Sequence, residues 1–99
     1  MGDDGMATAR FKALGHPVRL GIALRLAHEP ETCACDFAGV FGVSQPAVSQ
    51  HLKVLREAGL VTTRRRGTQI CYSLAPGAVR ALAETVARLE PPVVSAAAL

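Results

Sequence analysis

Two of the chain's three cysteines are separated by a single residue, in the segment ETCACDF. Thiolates select soft metal and metalloid ions, so Cys33 and Cys35 are candidate ligands. Residues i and i+2 point to nearly opposite sides of a helix but to the same side of an extended segment. Pro30 and Glu31 precede the pair, and helix signals begin only at Asp36. The sequence therefore predicts an extended segment that brings both sulfurs to one ion.

The remaining thiol chemistry of the chain is expected to be limited. A disulfide between Cys33 and Cys35 is not expected, because the ring that closes a Cys-x-Cys pair is small and strained. Cys71 falls on a predicted strand, and we expect it to lie far from Cys33 and not to be a ligand. Thiols in the cytoplasm are kept reduced, so clustered cysteines there more often bind metal or sense redox state than form structural disulfides.

Positive charge is concentrated in one part of the chain. Between positions 44 and 74 there are five basic residues and one acidic residue, a net charge of +4, against +3 for the whole chain. A basic window on an otherwise balanced chain is typical of a protein that binds a polyanion such as nucleic acid. The alternative is a solvated charged face, which charge alone does not exclude.

The composition limits what can hold these side chains in place. A chain of 99 residues has the length of one domain, and with 49% hydrophobic but only 4% aromatic residues its core must be aliphatic. Spare apolar surface on so small a domain favours a homodimer. No apolar run approaches the roughly 20 residues of a membrane span, and the N-terminal segment has no apolar signal region. We therefore expect a cytoplasmic protein with no membrane partner.

Helices account for most of the predicted elements. Gly42 marks a tight turn, Ser44 is a good N-cap, and Gly59 is a good C-cap. The helix that begins at Pro17 carries apolar residues on all sides and is expected to be almost wholly buried. Together with the apolar spacing, these signals predict helices over residues 7–14, 17–27, 37–41, 45–58 and 78–89.

A β-hairpin is predicted after Gly59. The apolar period changes from helical to alternating, which indicates strands over 61–66 and 69–74 around a turn at Gly67. A short helix, a tight turn and a longer helix, followed directly by a basic hairpin, form a winged helix-turn-helix. The predicted fold class is therefore mainly α with a small β-hairpin. It is one domain over 1–99, with the helix-turn-helix at 36–58, the wing at 61–74 and a dimerisation helix at 78–89.

The predicted helix 45–58 has two different faces. One carries an apolar stripe expected to be buried, formed by Val48, Leu52 and Leu55. The other carries amide, hydroxyl and basic side chains suited to a DNA major groove, while the basic wing tip suits the phosphate backbone or the minor groove. The residues expected to contact DNA are Ser44, Gln45, Ser49, Gln50, His51, Lys53, Arg64, Arg65 and Arg66. For His51, at the edge of the stripe, packing or a phosphate contact is favoured over metal ligation.

Four segments carry a resemblance to a known family: GHPVRLGIALRL, CACDF, SQPAVSQHLKVLREAGLV and RRRGTQICYSL. Over about residues 11–76 the chain resembles the ArsR/SmtB family of arsenic- and metal-responsive repressors. The resemblance implies a homodimer that binds an imperfect inverted repeat in double-stranded operator DNA, needs no cofactor to do so, and is released by a metal or metalloid. The residues that fit the pairing of terminal helices are Phe11, Val79, Leu82, Val86 and Leu89.

The resemblance also implies an inducer site. Arsenic-sensing members carry Cys-x-Cys-Asp-x-Cys, whose first two cysteines match Cys33 and Cys35, whereas the third position is alanine here, at residue 38. A repressor released by As(III) at these two cysteines is thus implied, with Cd(II) and Pb(II) as alternatives. An external thiol, an oxygen ligand or a group of the partner chain would complete the site. The family's histidine-containing zinc site is absent, since no histidine follows His51.

Other interpretations stay open from the sequence alone. The same scaffold suits a redox or reactive-sulfur sensor in which Cys33 or Cys35 oxidises, with Cys71 as a possible partner. The cysteine pair is also compatible with an inherited motif that has lost its sensing role, and the winged helix with a protein partner instead of DNA. An enzyme is not expected, because the sequence shows no paired carboxylates, no nucleophile–base arrangement and no phosphate loop.

Overall fold

In the computed structural model, which describes residues 2–37 and 39–92, a bundle of helices packs against one small sheet. The helices are α1 (Gly2–Leu14), α2 (Pro17–His28), a 3₁₀ helix (Ala34–Phe37), α3 (Gln45–Glu57) and α4 (Ala78–Ala87). The strands are β1 (Thr32–Cys33), β2 (Val61–Arg66) and β3 (Gln69–Leu74). The first helix begins earlier than predicted, in a stretch without apolar periodicity, and α4 ends two residues before the predicted end.

Helix α2 begins as its sequence predicts but is less buried than expected. His16 is its N-cap, and the His16 Nδ1 atom accepts a hydrogen bond from the Val18 backbone N–H at 3.1 Å. On its outer side, Leu20 is 44% and Leu24 is 58% exposed. The prediction of an almost wholly buried helix is therefore wrong, because α1, α3 and β3 all pack against α2 from the inner side.

The short helix before α3 differs from the prediction in type and position. It is a 3₁₀ helix that begins at Ala34 instead of about Asp36 and ends at Phe37, whose side chain is fully buried. Residue 38, which falls within the predicted helix, lies outside the described residues. Because the helical turn starts right after β1, Cys35 lies on the helix and not on an extended segment.

Helix α3 has the caps that its sequence predicts. The Ser44 Oγ atom accepts a hydrogen bond from the Ala47 backbone N–H at 3.3 Å. At the other end Gly59 has a φ of +75°, which a residue with a side chain rarely adopts. The Gly59 N–H donates to the Arg56 carbonyl at 2.9 Å and the Leu60 N–H to the Leu55 carbonyl at 3.0 Å, the pair of bonds of a Schellman motif. This turn ends α3 and directs the chain into β2.

The wing hairpin forms as predicted, but the sheet has a third strand. Strands β2 and β3 pair antiparallel from Val61 opposite Leu74 to Arg66 opposite Gln69. The strand order is β1-β3-β2, so the two-residue strand β1 extends the wing on the side of β3. Its register places Cys33 opposite Cys71. The expectation that Cys71 lies far from Cys33 is therefore wrong.

The core lies between the helices and the sheet. The predicted stripe of α3 is fully buried, and it meets apolar side chains from every other α-helix, from the 3₁₀ helix and from the start of the wing. Its members include Ala13, Ile22, Leu26, Phe37, Val48, Leu52, Leu55, Leu60, Val61 and Leu82. None of the described helices is long and apolar enough to cross a membrane.

Candidate nucleic-acid interface and thiol site

One face of α3 is available to a partner. Ser49, Gln50 and Lys53 are exposed on this helix, and Ser44 and Gln45 are exposed at its N-terminal end. Because the apolar stripe fixes the opposite face in the core, these side chains share the solvent side of the helix. The N-terminal part of a recognition helix is the part that reads base edges in the major groove. The arrangement therefore suits insertion of α3 into DNA, although the individual contacts stay predictions.

His51 is half-buried and packs between α3 and α2. Its ring centroid lies 4.5 Å from that of His16, and the Arg19 Nη1 atom lies 3.4 Å from the His51 Nδ1 atom. Burial, reinforced by His16 and by the Arg19 guanidinium, lowers the pKa of His51 from its ordinary value of 6.5. These contacts hold His51 against α2 at the middle of α3.

The wing presents three exposed arginines, Arg64, Arg65 and Arg66. Arg64 also makes an ion pair, with its Nη1 atom donating to the Glu31 Oε1 atom at 2.9 Å. Glu31 has a left-handed backbone with a φ of +60°, and its N–H donates to the Ser73 Oγ atom at 3.0 Å. The segment before Cys33 is thus attached to both strands of the wing. Sequence reasoning missed Glu31, since nothing in the pattern relates it to β2.

The thiols are arranged differently from the prediction. Cys33 and Cys71 face each other across β1 and β3, with their Cα atoms 3.9 Å apart, and their sulfurs are bonded. Both side chains are buried, with Cys71 only 1% exposed. Cys35 is exposed and carries a free thiol, 3.9 Å from the Asp36 Oδ1 atom. Within residues 2–37 and 39–92, no three His, Cys, Asp or Glu side chains are arranged to hold a metal ion.

An apolar surface is left uncovered where α1 and α4 run side by side. Phe11 of α1 is partly exposed, and of the predicted stripe on α4 only Leu82 is buried. Val86 is 48% and Leu89 is 76% exposed. A groove lined by residues of both helices, among them Met6 and Leu82, adjoins this surface.

A helix-turn-helix whose second helix exposes a polar face, followed by a basic hairpin, defines a winged helix-turn-helix protein of the DNA-binding class. The chain belongs to the ArsR family of bacterial regulatory proteins, whose sequence profile matches residues 16–63. Members of this family are DNA-binding transcriptional regulators and not enzymes.

Three comparisons support this assignment. The HTH-type transcriptional regulator YgaV of Escherichia coli K12 is 39% identical over 80 residues, which cover 81% of each chain. The arsenical resistance operon repressor of the same organism is 44% identical over 66 residues, covering 67% of this chain and 56% of that protein. The solved structure of an ArsR-like transcriptional regulator from Rhodococcus sp. RHA1 superposes with a TM-score of 0.79 at 27% identity, covering 90% of this chain and 83% of that one.

The extent of the match differs among these relatives. The chain spans about half the length of several curated relatives that it matches, including two arsenic regulators and an SmtB repressor. The family profile covers residues 16–63, which contain the helix-turn-helix, so the family likeness lies above all in the DNA-binding unit.

Proposed function

We propose that this protein is a transcriptional repressor that leaves its operator when a thiophilic ion binds Cys33 and Cys35. The supporting observation is the position of Cys33, which ends β1 in the wing sheet and directly precedes the 3₁₀ helix that packs against α3. An ion bound there touches both parts of the DNA-binding unit at once. Ligation requires free thiols, so the responsive form is the reduced chain.

Binding to DNA uses α3 and the wing. The exposed face of α3, with Ser44, Gln45, Ser49, Gln50 and Lys53, enters the major groove, while Arg64, Arg65 and Arg66 contact phosphates or the minor groove. No cofactor is required for this step. In a two-fold symmetric dimer the recognition helices lie roughly 34 Å apart, which matches an operator with an imperfect inverted repeat in double-stranded DNA.

The dimer forms through the terminal helices. The exposed large apolar side chains here are Met6 and Phe11 of α1, Val79 and Val86 of α4, and Leu89 just after α4. A monomer would leave them in water, whereas a two-fold contact covers both copies of the surface.

Sulfur ligands select soft ions, and As(III) is the proposed inducer, with Cd(II) and Pb(II) as alternatives. Three of the relatives are named for arsenical or arsenic resistance. A coupling free energy of about 1–3 kcal/mol between the two sites would lower operator affinity about 5- to 150-fold. The protein acts in the cytoplasm, where the DNA lies.

The test starts from an operator selected by the purified protein from a library of random duplexes. Fluorescence anisotropy then measures affinity with and without As(III), Cd(II) or Pb(II), for the wild type and for Cys33→Ser/Cys35→Ser. We expect at least one ion to weaken wild-type binding at least fivefold and the double variant not to respond. Arsenate, which forms no thiolate bonds without reduction, is the matched control. Full response by the double variant, or no response by the wild type, would disprove the proposal.

A second candidate is a thiol-based redox regulator, which the bonded sulfurs of Cys33 and Cys71 favour. A hydroperoxide would take two electrons from the two thiols, giving the disulfide, an alcohol and water. Operator affinity is then measured for the reduced and the peroxide-treated protein, with mass spectrometry to identify the bond. Equal affinity of the two forms rules this candidate out.

A further inference from the structure

The C-terminal end of α3 is attached to α1 by an arginine. Arg10 of α1 is half-buried, and its Nε atom donates a hydrogen bond to the Ala58 carbonyl at 3.2 Å. The carbonyls at the end of a helix have no partner within the helix, and the helix dipole favours a cation beside them. The Arg10 guanidinium therefore lies where α3 offers a favourable contact, although the two residues are 48 positions apart in the chain.

Arg10 lies where three helices meet. A Cβ atom added to Gly59, in the turn that ends α3, would be 3.2 Å from the Arg10 Nη2 atom and 3.8 Å from the Met6 Sδ atom. Met6 and Arg10 are one turn apart on α1, so the same side of α1 faces this turn. Both residues also line the groove between α1 and α4. Arg10 thus connects the end of the recognition helix with the surface proposed for the dimer contact.

A second arginine connects α1 with the middle of α3. The Arg19 Nε atom of α2 donates to the carbonyl of Ala13, in the last turn of α1, at 2.7 Å. The Nη1 atom of the same side chain lies 3.4 Å from the Nδ1 atom of His51 on α3. Helix α3 is therefore held relative to α1 at two points, directly through Arg10 at its end and indirectly through Arg19 near its middle.

The side chains of α1 and α3 do not fill all the space between the two helices. A groove of about 330 Å³ lies between α1, α2 and the C-terminal half of α3. Much of its lining consists of small apolar side chains, namely Ala9, Ala13, Val54 and Ala58. Interlocking side chains are what normally fix the angle between two helices. Where they are missing, the polar contacts at the two attachment points have more influence on that angle.

We infer that Arg10 is a positioning residue for DNA recognition, which fixes the angle of α3 relative to α1 by holding the Ala58 carbonyl. This inference rests on the dimer of the proposed function, in which α1 belongs to the contact between protomers. A tilt of α3 on α1 would occur in both protomers and change the distance between the two recognition helices. The half-sites of an operator must match that distance. Arg10 therefore affects which half-site spacing the dimer accepts, without touching DNA itself.

Operators that differ only in half-site spacing test this role. One base pair is added or removed between the half-sites of the operator selected by the purified protein, which changes their separation by about 3.4 Å and their relative rotation by about 35°. Fluorescence anisotropy should show at least tenfold weaker binding of the wild type to the altered spacings. In Arg10→Met, which keeps the side-chain length but has no donor, this preference should fall at least threefold. Arg10→Lys, which can still donate to the carbonyl, should fall between the two proteins.

A duplex with a single half-site separates positioning from general damage. Arg10→Met should bind it within twofold of the wild type, because the recognition face of α3 is unchanged. Lys12→Met is the matched control: it removes the same charge from an exposed position two residues further along α1, and it should keep the wild-type spacing preference.

Two results with Arg10→Met would overturn the inference: an equal loss of affinity for the single half-site and for every spacing, or an unchanged spacing preference. Neither result affects the proposed function. A wild-type protein that accepts all spacings equally would contradict the proposed dimer, and the inference would fail with it.

A second measurement needs no variant and so does not depend on the folding of one. In the ¹⁵N-labelled wild type, the Arg10 Nε–H should exchange slowly with water, both with and without the operator, because it is half-buried and bonded to the Ala58 carbonyl. Arg80, at an exposed position of α4, provides the reference for fast exchange. Exchange of the Arg10 Nε–H as fast as that of Arg80 would also overturn the inference.

Discussion

At the scale of single residues, Glu31 forms an ion pair with Arg64 of the wing, and this pair partly offsets the positive charge of the arginine. The pair is exposed, with side-chain exposures of 40% for Glu31 and 74% for Arg64, so salt and water screen it. Exposed ion pairs contribute about 0.2–1 kcal/mol at most. The pair therefore does little for stability. Under the proposed function its effect falls on DNA binding, where the carboxylate would compete with phosphate for the guanidinium.

The first prediction concerns this competition. Glu31→Gln should raise operator affinity up to about fivefold, the equivalent of an exposed ion pair. It should also steepen the dependence of affinity on salt concentration, because Arg64 then contacts phosphate more completely. Anisotropy titrations over a range of salt concentrations measure both. Arg64→Gln should weaken binding to all sequences alike, and in that background Glu31→Gln should have no further effect.

The second prediction concerns His51 and pH. Burial and the neighbouring positive groups lower its pKa in the folded protein below its ordinary value of 6.5. Below that value the unfolded chain binds more protons than the folded one, so the free energy of unfolding should fall as pH drops from about 6.5 towards the folded pKa. Above 6.5 this contribution is constant.

Urea unfolding at a series of pH values provides the measurement for His51. His51→Gln should flatten the pH dependence in this window, whereas His28→Gln, at an exposed position at the end of α2, should leave it in place. Equal slopes for the wild type and the His51 variant would show that another group is responsible.

At the scale of elements, the C-terminus of α3 depends on the left-handed backbone of Gly59. Gly59→Ala should lower the free energy of unfolding by about 1–2 kcal/mol, the cost of that conformation for a residue with a Cβ atom. The added Cβ would lie 3.2 Å from the Arg10 Nη2 atom, the end of a long side chain that can shift. Most of the loss in the free energy of unfolding therefore comes from the left-handed backbone conformation and not from a steric clash.

Gly5→Ala is the matched control for Gly59. Gly5 lies within α1, and an added Cβ meets nothing within 4 Å. Since alanine is favoured over glycine in a helix by about 1 kcal/mol, this variant should be more stable than the wild type. Denaturant unfolding of both variants tests the pair. A loss of stability in Gly5→Ala, or none in Gly59→Ala, would show that the backbone conformation at these glycines does not determine the effect.

The same elements show which parts of the fold the sequence could predict. Helix α3 was predictable because Ser44, Gly59 and a three-residue apolar stripe mark its start, its end and its buried face. Strand β1 was not, because two residues are too few to display an alternating pattern. The position of Cys71 was missed for the same reason, since its partner Cys33 lies 38 residues earlier on a strand without a local signal.

The candidate site was only partly predictable. The DNA-facing side chains of α3 follow from its apolar stripe, which leaves one face for solvent. The thiol arrangement depends instead on where the 3₁₀ helix begins. Burial of Phe37 in the core accompanies an early start at Ala34, and this places Cys33 and Cys35 on different elements.

At the scale of the whole molecule, the uncovered surface of α1 and α4 should determine the oligomeric state. If the proposed dimer forms through this surface, Leu89→Glu or Val86→Glu should convert it to a monomer, because a charge would be buried without a partner at the contact. Leu24→Glu places the same charge on the exposed side of α2 and should leave the dimer intact. Analytical ultracentrifugation distinguishes these results.

Operator binding provides an independent check on the dimer. A monomer presents a single recognition helix, so the Val86 and Leu89 variants should lose most of their affinity for an inverted repeat while the Leu24 variant keeps it. A wild-type protein that sediments as a monomer at micromolar concentration would refute the proposed contact.

The bond between Cys33 and Cys71 has a topological consequence for the molecule. It closes a covalent ring that contains the 3₁₀ helix, all of α3 and strand β2. A ring of this size is worth about 3–4 kcal/mol in the chain-entropy treatment, so the oxidised DNA-binding unit should resist unfolding more strongly. A single proteolytic cut inside the ring would leave one connected molecule in the oxidised state and two separable fragments after reduction.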